Sequence, residues 1–217
     1  MDRIGTITLE NVLPSVFVGE NIQKSGIWNC NVTFSRGEDY LVEAASGTGK
    51  SSLCAYLFGS RTDYEGEILF DSRNIKDFKI PGWQEIRRRH IAYLPQELSL
   101  FPELTALQNI RLKAELTGSV PNGQIEEWMH ELGIDSRANY PVAKMSVGQQ
   151  QRVAVIRAVC QPFDFILLDE PVSHLDEENN RIVARIVLEE ARKQGASVIA
   201  TSVGNQLMIP SPHIINL

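Results

Sequence analysis

The sequence predicts an α/β fold, and two segments with their neighbours carry the prediction. A strand-like run at residues 40–43 leads into the glycine-rich segment AASGTGKSS and then into an apolar, helix-like run at residues 53–58. Later, an apolar run at residues 165–168 ends in two adjacent carboxylates, Asp169 and Glu170. A run that is apolar on both faces is typical of a strand buried in a parallel sheet. Because open α/β sheets bind ligands at the carboxyl ends of such strands, we expect both features at one edge of the sheet.

The glycine-rich segment, residues 44–52, has the composition of a phosphate-binding loop. Gly47 and Gly49 allow the backbone to turn and to approach a polyphosphate closely, so that successive N–H groups point at its oxygens. Lys50 adds a mobile positive charge for the outer phosphates, and Ser51 adds a hydroxyl for magnesium.

Length and composition narrow the class of protein. A chain of 217 residues can form one domain, 1–217, with a complete core. Its net charge of −6 argues against a dedicated nucleic-acid partner. Cys30, Cys54 and Cys160 have no metal-ligand spacing and fit reduced thiols in the cytoplasm. No apolar run approaches the roughly 20 residues of a membrane span, so we expect a soluble protein that reaches a membrane only through a partner.

The N-terminal region predicts a small antiparallel sheet beside the parallel core. Residues 4–9 and 27–34 alternate like half-buried strands, and residues 67–70 form another short strand. Pro81-Gly82 is expected to break the chain before a short helix at residues 83–89.

Between the strand at residues 91–94 and the one at 165–168, the pattern of residues 97–145 is helical. Thr105 is a candidate N-cap for the first of these helices, and a second runs from about residue 124 to residue 132. We therefore expect a helical subdomain inserted into the catalytic core.

The remaining elements complete the parallel sheet. Ser146, with Gln149 three residues later, has the spacing of a capping box at a helix start. Asp176 can cap a long helix that ends at Gly195. Residues 198–201 are expected as the last central strand, and residues 213–217 as an edge strand.

The phosphate loop and the carboxylates after residue 168 predict a P-loop nucleoside-triphosphatase with a mixed central sheet, an N-terminal antiparallel β subdomain and an inserted helical subdomain. Asp169 would hold the magnesium ion, and Glu170 would polarise the attacking water. Lys50 and the loop amides would neutralise charge on the transferring phosphoryl group. The alternative interpretation of the Asp-Glu pair is a solvated strand end.

Five motifs in order make the chain resemble the ATP-binding cassette (ABC) family of transporter ATPases over nearly its whole length. SGTGKSS resembles the Walker A loop, and YLPQ, residues 93–96, resembles the Q-loop. MSVGQQQR, residues 145–152, is similar to the family signature. SHLD, residues 173–176, resembles the D-loop, and FILLDEP, residues 165–171, resembles the Walker B strand.

The resemblance implies ATP and Mg²⁺ as cofactors and assigns roles to residues of this chain. The implied catalytic residues are Glu170, Lys50 and Gln96, and the implied metal ligands are Ser51, Gln96 and Asp169. The implied ATP-binding residues are Ser46, Gly47, Thr48, Gly49, Lys50, Ser51 and Ser52, with Phe17 as the candidate for stacking on adenine. A Phe17 that is merely buried is an equally open interpretation.

The resemblance also implies partners, because two such domains close head to tail around two ATP molecules. Ser146, Gly148 and Gln149 would contact the ATP of a second copy or of a homologous subunit, since a serine-capped helix N-terminus is an anion site. Asp176 would belong to the D-loop. The cycle would drive an integral membrane permease at the inner face of the cell membrane, with residues 98–102 in the contact.

Three residues depart from the family pattern. Ala44 replaces a glycine, at a cost of about 1–2 kcal/mol if that position needs a positive φ. Val147 places a β-branched side chain where a partner's phosphates would approach. Ser202 occupies the switch position, where the family has a histidine that contacts the γ-phosphate. Losing that contact lowers the rate of hydrolysis by about 10-fold or more. Because Glu170 is retained, we expect slow but real hydrolysis.

Three functions follow from these features. The first is the ATPase subunit of a transporter, similar to the branch that serves lipoprotein-release, cell-division or small efflux permeases. The second is an ATP-dependent regulatory or scaffold switch with little turnover, favoured by Ala44, Val147 and Ser202. The third, a DNA-repair or chromosome ATPase, is disfavoured because the chain lacks a long coiled-coil insertion and is acidic.

Overall fold

The computed structural model describes residues 3–19, 25–45 and 47–217. An antiparallel sheet forms from the N-terminal part, with the strand order β2-β1-β4-β5. These strands are β1 (Thr6–Pro14), β2 (Asn31–Ser35), β4 (Tyr64–Phe70) and β5 (Arg73–Asn74). In the register Ile7 lies opposite both Phe34 and Phe70, and all three side chains are buried.

The first predicted strands exist, but their bounds differ. The strand expected at residues 27–34 begins only at Asn31. Before it, the Ser25 hydroxyl accepts N–H bonds from Ile27 at 3.0 Å and from Trp28 at 2.7 Å, which bends the chain into a turn.

The second sheet is parallel throughout the described pairs and has the order β6-β7-β8-β3-β9. Its strands are β3 (Tyr40–Glu43), β6 (Ile91–Leu94), β7 (Phe165–Asp169), β8 (Ser197–Ser202) and β9 (His213–Asn216). The mixed architecture predicted from the sequence is thus divided between two sheets. The expected edge position of the last strand is confirmed.

Two hydrophobic cores cover the two faces of the parallel sheet. Along β7, Ile166 and Leu168 belong to one core, whereas Phe165 and Leu167 belong to the other. The second core also contains the buried side chains of the antiparallel sheet, including Ile7. All five residues of β7 are buried, as predicted for a strand covered on both faces.

Six helices are described: α1 (Lys50–Leu57), α2 (Ile80–Arg89), α3 (Ala106–Thr117), α4 (Asn122–Glu131), α5 (Val147–Val159) and α6 (Glu177–Gln194). The predicted break at Pro81 is wrong, because proline occupies the first turn of α2, where its missing N–H costs no helical bond. Helices α3 and α4 lie in sequence between β6 and β7, as predicted.

The side chains predicted to cap three of the helices do cap them in the structure. Thr105 and Ser146 both form capping boxes, with Gln108 and Gln149 respectively. The Asp176 carboxylate accepts the Asn179 N–H at 2.8 Å at the start of α6. Within the described ranges, no helix is both long and apolar enough to cross a bilayer.

Candidate active site

The glycine-rich loop connects β3 to α1 at the carboxyl edge of the parallel sheet. Gly47 and Gly49 have φ values of 83° and 99°, which are accessible to glycine at little cost. Ala44 is not in the left-handed region, so its replacement of glycine carries none of the strain considered above. Ser46, predicted to bind ATP, lies outside the described residues.

Two aromatic residues support this loop from the N-terminal region. The Trp28 indole N–H donates to the Thr48 carbonyl at 2.8 Å. A Cβ atom at Gly49 would lie 3.1 Å from the rings of both Phe17 and Trp28. The loop is therefore held closely against aromatic rings, and a side chain at position 49 would disturb them.

Lys50 is the cation of the site, and only 5% of its side chain is exposed. Its Nζ donates to the Ala45 carbonyl at 2.9 Å and lies 3.5 Å from the Ala44 carbonyl. The same atom is 3.9 Å from Oε1 of Glu170. The lysine thus joins the phosphate loop to the segment after β7.

Asp169, the last residue of β7, is 1% exposed. Its Oδ1 accepts the Thr201 hydroxyl at 2.7 Å, whereas its buried Oδ2 has no hydrogen-bond partner among the described residues. An ionised oxygen buried without a partner is costly unless a cation binds it. This unsatisfied atom therefore fits a metal ligand.

The other predicted metal ligands lie close together. Oγ of Ser51 is 3.5 Å from Oε1 of Gln96. With Asp169 they form an all-oxygen set, which is the chemistry that Mg²⁺ prefers. Among the residues described, no group of three or more His, Cys, Asp or Glu side chains can hold a metal ion. A bound Mg²⁺ would thus depend on phosphate oxygens and water for its other ligands.

Glu170 has a strained backbone, with a φ of 52°. Its N–H donates to the Thr201 hydroxyl at 3.3 Å, and its carbonyl accepts the Gln151 amide at 3.0 Å. Left-handed backbone at a residue other than glycine costs on the order of 1–3 kcal/mol and is concentrated at functional sites.

A cleft of about 290 Å³ is lined by half of the predicted site residues, and Phe17 is half-buried in its lining. The lining consists of Val16, Phe17, Gly47, Gly49, Lys50, Ser51, Ser52, Gln96 and Glu170. The cleft thus combines a phosphate loop, a carboxylate, an amide and two apolar side chains.

Other predicted residues lie away from this cleft. The serine-capped start of α5, with Ser146, Gly148 and Gln149, does not line it, and neither does Asp176. Ser202 is 2% exposed and belongs to a separate hollow of about 430 Å³ beside Ala44 and Ala45. Within one copy, the signature residues therefore do not meet the phosphate loop at the cleft.

Sequence reasoning missed four residues that support the site. The sequence pattern places Trp28 and Thr201 only in strands, although a threonine in an apolar central strand is a signal of a buried hydrogen bond. Gln151 lies in the signature motif, and the motif gives it no role of its own. The Arg61 guanidinium donates to Oγ of Ser52 at 2.8 Å and is ion-paired with Asp63, a contact with no sequence signal.

A second cleft of about 530 Å³ adjoins the first, because Ser51 lines both. Its lining includes Arg61, Lys113 and Arg157. The Arg157 guanidinium donates to the carbonyls of Leu98 at 2.6 Å and Ser99 at 2.8 Å. Burial lowers the pKa of Arg157, yet the side chain stays charged because the ordinary value is so high.

Comparison with known proteins gives a family for this arrangement. Residues 27–173 match the ABC transporter family model. The chain is 32% identical, over 82% of its length, to the uncharacterized ABC transporter ATP-binding protein YclH of Bacillus subtilis (strain 168), of which it covers 79%. It is 29% identical, over 97% of its length, to the macrolide export ATP-binding/permease protein MacB of Bartonella quintana (strain Toulouse). The chain spans only 32% of the length of that MacB protein.

Solved structures have the same fold. The dimeric structure of MJ0796, a bacterial ABC transporter cassette, matches with a TM-score of 0.76 at 28% identity, over 90% of this chain and 87% of that one. A dimeric post-hydrolysis state of MJ0796 bound to ADP and Pi matches with a TM-score of 0.73 at 25% identity. The chain is therefore an ATP-binding cassette and belongs to the ABC transporter family.

Proposed function

We propose that this chain is a single ABC-type domain, 1–217, that hydrolyses ATP in a head-to-tail dimer and drives a membrane permease. The observation that carries the proposal is the pairing in one cleft of the buried Lys50 cation with Glu170, 3.9 Å away. The neighbouring Asp169 contributes a buried oxygen that has no hydrogen-bond partner in the part of the chain that the structure describes. A phosphate loop, a metal-ligand carboxylate and a water-activating carboxylate are what phosphoryl transfer requires.

ATP would bind with its phosphates on the amides of residues 47–51 at the start of α1, where the helix dipole favours anions. Lys50 would exchange its bonds to the Ala44 and Ala45 carbonyls for outer phosphate oxygens. Phe17 and Val16, at the cleft lining, offer apolar contact for the adenine.

The oxygen ligands of the site fit Mg²⁺. Ser51 and Asp169 would hold it, with Gln96 nearby, and a bound ion would neutralise charge on the phosphates. This role also explains why Asp169 has a fixed orientation, since the Thr201 hydroxyl holds its other oxygen at 2.7 Å.

Glu170 would act as the base in hydrolysis. It would take a proton from water as the water oxygen bonds to the γ-phosphorus and the bond to the β–γ bridging oxygen breaks, which gives ADP and phosphate. Lys50 would stabilise the charge that develops on the phosphoryl oxygens.

A second copy or a homologous subunit would complete the site. The capping box at Ser146 leaves the start of α5 with free N–H groups that can bind the other copy's phosphates. Val147 is 51% exposed at this start and would contact the partner directly. The dimeric structure of MJ0796 supports this arrangement.

The proposed partner is an integral permease, which this chain would contact at the inner face of the membrane. The relative MacB supports this proposal, because it is named as an ATP-binding and permease protein in one chain. Residues 98–102 and the second cleft would form part of the contact. Phe101 is exposed there, and Arg61, Lys113 and Arg157 would suit acidic side chains of a permease. The acidic net charge of this chain supports no nucleic-acid partner.

A switch with little turnover is the second candidate, and the position of Ser202 favours it. This residue is buried and lines the neighbouring hollow rather than the cleft, so it supplies no evident substitute for a γ-phosphate histidine. The replacement would slow hydrolysis while leaving ATP binding intact.

Single-turnover phosphate release decides between the two functions. The wild-type chain and Glu170→Gln would be compared with matched ATP occupancy, alone and with the permease. An ATPase predicts release at least about 100-fold faster in the wild type, since glutamine cannot take the proton. Equal release by both proteins would leave only the switch.

A further inference from the structure

Gln151, in the second turn of α5, is a buried amide with a full set of partners. It is 1% exposed. Its Nε2 donates to the Glu170 carbonyl at 3.0 Å and to Oγ of Ser173 at 3.3 Å, and its Oε1 accepts the His174 N–H at 3.0 Å. All of these partners lie in residues 170–174, directly after β7.

These bonds act on the strained backbone of Glu170. Its N–H is held by Thr201 of β8, and its carbonyl is held by Gln151 of α5. Because φ at Glu170 is 52°, the backbone relies on such bonds to stay in this conformation. The direction of the Glu170 carboxylate therefore depends on where α5 lies.

The first turn of α5 packs closely against the same segment, residues 170–174. A Cβ atom at Gly148 would lie 2.9 Å from the His174 carbonyl oxygen, so the first turn of α5 and residue 174 are in direct backbone contact. A displacement at Ser146 would thus move Gln151 and the segment 170–174 together.

We propose that Gln151 is a positioning residue that couples the signature end of α5 to Glu170 of the same chain. The inference rests on the proposed function, in which Ser146 contacts the ATP held by the other copy. ATP bound in one site would then fix the base of the other site through the Gln151 amide. Gln151 does not touch the reacting atoms.

Two substitutions separate the roles of the amide. Gln151→Glu keeps the acceptor for the His174 N–H and loses the donor to the Glu170 carbonyl. Gln151→Met keeps the length of the side chain but loses both the acceptor and the donor. The matched control is Gln150→Met, because the Gln150 side-chain amide donates to the Val142 and Met145 carbonyls and, among the described residues, has no hydrogen bond to the segment 170–174.

The measurements are single-turnover phosphate release, ATP affinity and the thermal unfolding midpoint of the full chain. We expect release to fall at least about 10-fold in both Gln151 variants, with ATP affinity within about twofold of wild type. Gln150→Met should keep both phosphate release and ATP affinity within about twofold of wild type. If Gln151→Met unfolds at the assay temperature, Gln151→Glu decides.

Non-additivity tests the coupling itself. Ser146→Ala also loses its own contact with the ATP of the other copy, so the coupling is measured in the double variant, whose release should fall by less than the product of the two single effects. If the effects of the two single substitutions on phosphate release simply multiply in the double variant, the coupling is contradicted. If both Gln151 variants release phosphate as fast as wild type, the positioning role is contradicted. If the wild type releases no more phosphate than Glu170→Gln, the proposed function fails first, and that result is distinct from both.

Discussion

Nζ of Lys50 lies 3.9 Å from Oε1 of Glu170, so the cation of the phosphate loop and the carboxylate after β7 belong to one cleft. Lys50 also donates to the Ala45 carbonyl at 2.9 Å. The two contacts draw together segments that are more than 100 residues apart in sequence.

Asp169→Asn should raise the Mg²⁺ concentration for half-maximal phosphate release at least about 10-fold. The amide can still accept the Thr201 hydroxyl but offers a neutral ligand where Mg²⁺ prefers a carboxylate. A Mg²⁺ titration of release measures the shift. Asp71→Asn, at an exposed aspartate whose carboxylate accepts the N–H groups of Gly5 and Thr6, is the control and should leave the titration unchanged. An unchanged Asp169→Asn titration would remove Asp169 from the metal site.

Thr201→Val should lower the free energy of unfolding by about 1–3 kcal/mol. The substitution keeps the shape but leaves Oδ1 of the buried Asp169 and the Glu170 N–H without their shared partner. Urea unfolding measures the loss. Thr201→Ser keeps the hydroxyl and should lose clearly less, so equal losses in the two variants would contradict this role of the hydroxyl.

Arg61→Ala should weaken ATP binding about 2- to 10-fold. Because a guanidinium only donates, its bond occupies a lone pair of Ser52 Oγ and leaves the hydroxyl hydrogen free for a phosphate oxygen. Titration with a fluorescent ATP analogue measures the affinity. Stability should change by less than about 1 kcal/mol, since the Arg61–Asp63 pair is exposed.

A double variant checks this interpretation of Arg61. With Ser52→Ala already present, Arg61→Ala should weaken binding no further, because the arginine would act through the hydroxyl. A full additional loss would mean that Arg61 acts on the nucleotide by charge alone.

The thiols should differ in reactivity at pH 8. Burial, with the nearby Asp169 charge, raises the pKa of Cys54 well above its ordinary value, and burial raises the pKa of Cys160 to about 12. Cys30 is only partly buried, so it should react first with a maleimide. Cys30→Ser should remove the fast phase, and a fast phase that survives would contradict the burial of the other two.

The same pKa shifts predict how stability depends on pH. Both buried thiols stay protonated in the folded protein, whereas those of the unfolded chain ionise above about pH 8.5. The unfolded state then binds fewer protons, so the free energy of unfolding should fall as the pH rises from about 8.5 toward 10. Urea midpoints at pH 7.5 and 9.5 measure the fall, and Cys54→Ala should reduce it.

Local features were predictable from the sequence because a few neighbouring residues determine them. The capping boxes at Thr105 and Ser146, the end of α6 at Gly195 and the buried strand β7 all have short-range signals. The late start of β2 was missed because one hydroxyl, that of Ser25, bends the chain before Asn31.

The supporting bonds of the site were not predictable in the same way. Gln151, Thr201 and Arg61 each contact residues that lie 9 to 32 positions away in sequence, and no local pattern specifies such pairs. The motifs therefore predicted which residues line the cleft better than they predicted what holds them in place.

The central claim is that ATP held by the phosphate loop of one copy joins it to the start of α5 of another. The direct measurement is the sedimentation of Glu170→Gln with ATP and Mg²⁺, compared with the same variant carrying Lys50→Ala. We predict an ATP-dependent dimer for Glu170→Gln and a monomer for the double variant at the same ATP concentration. A dimer that forms equally well without ATP, or equally well without Lys50, would contradict the account.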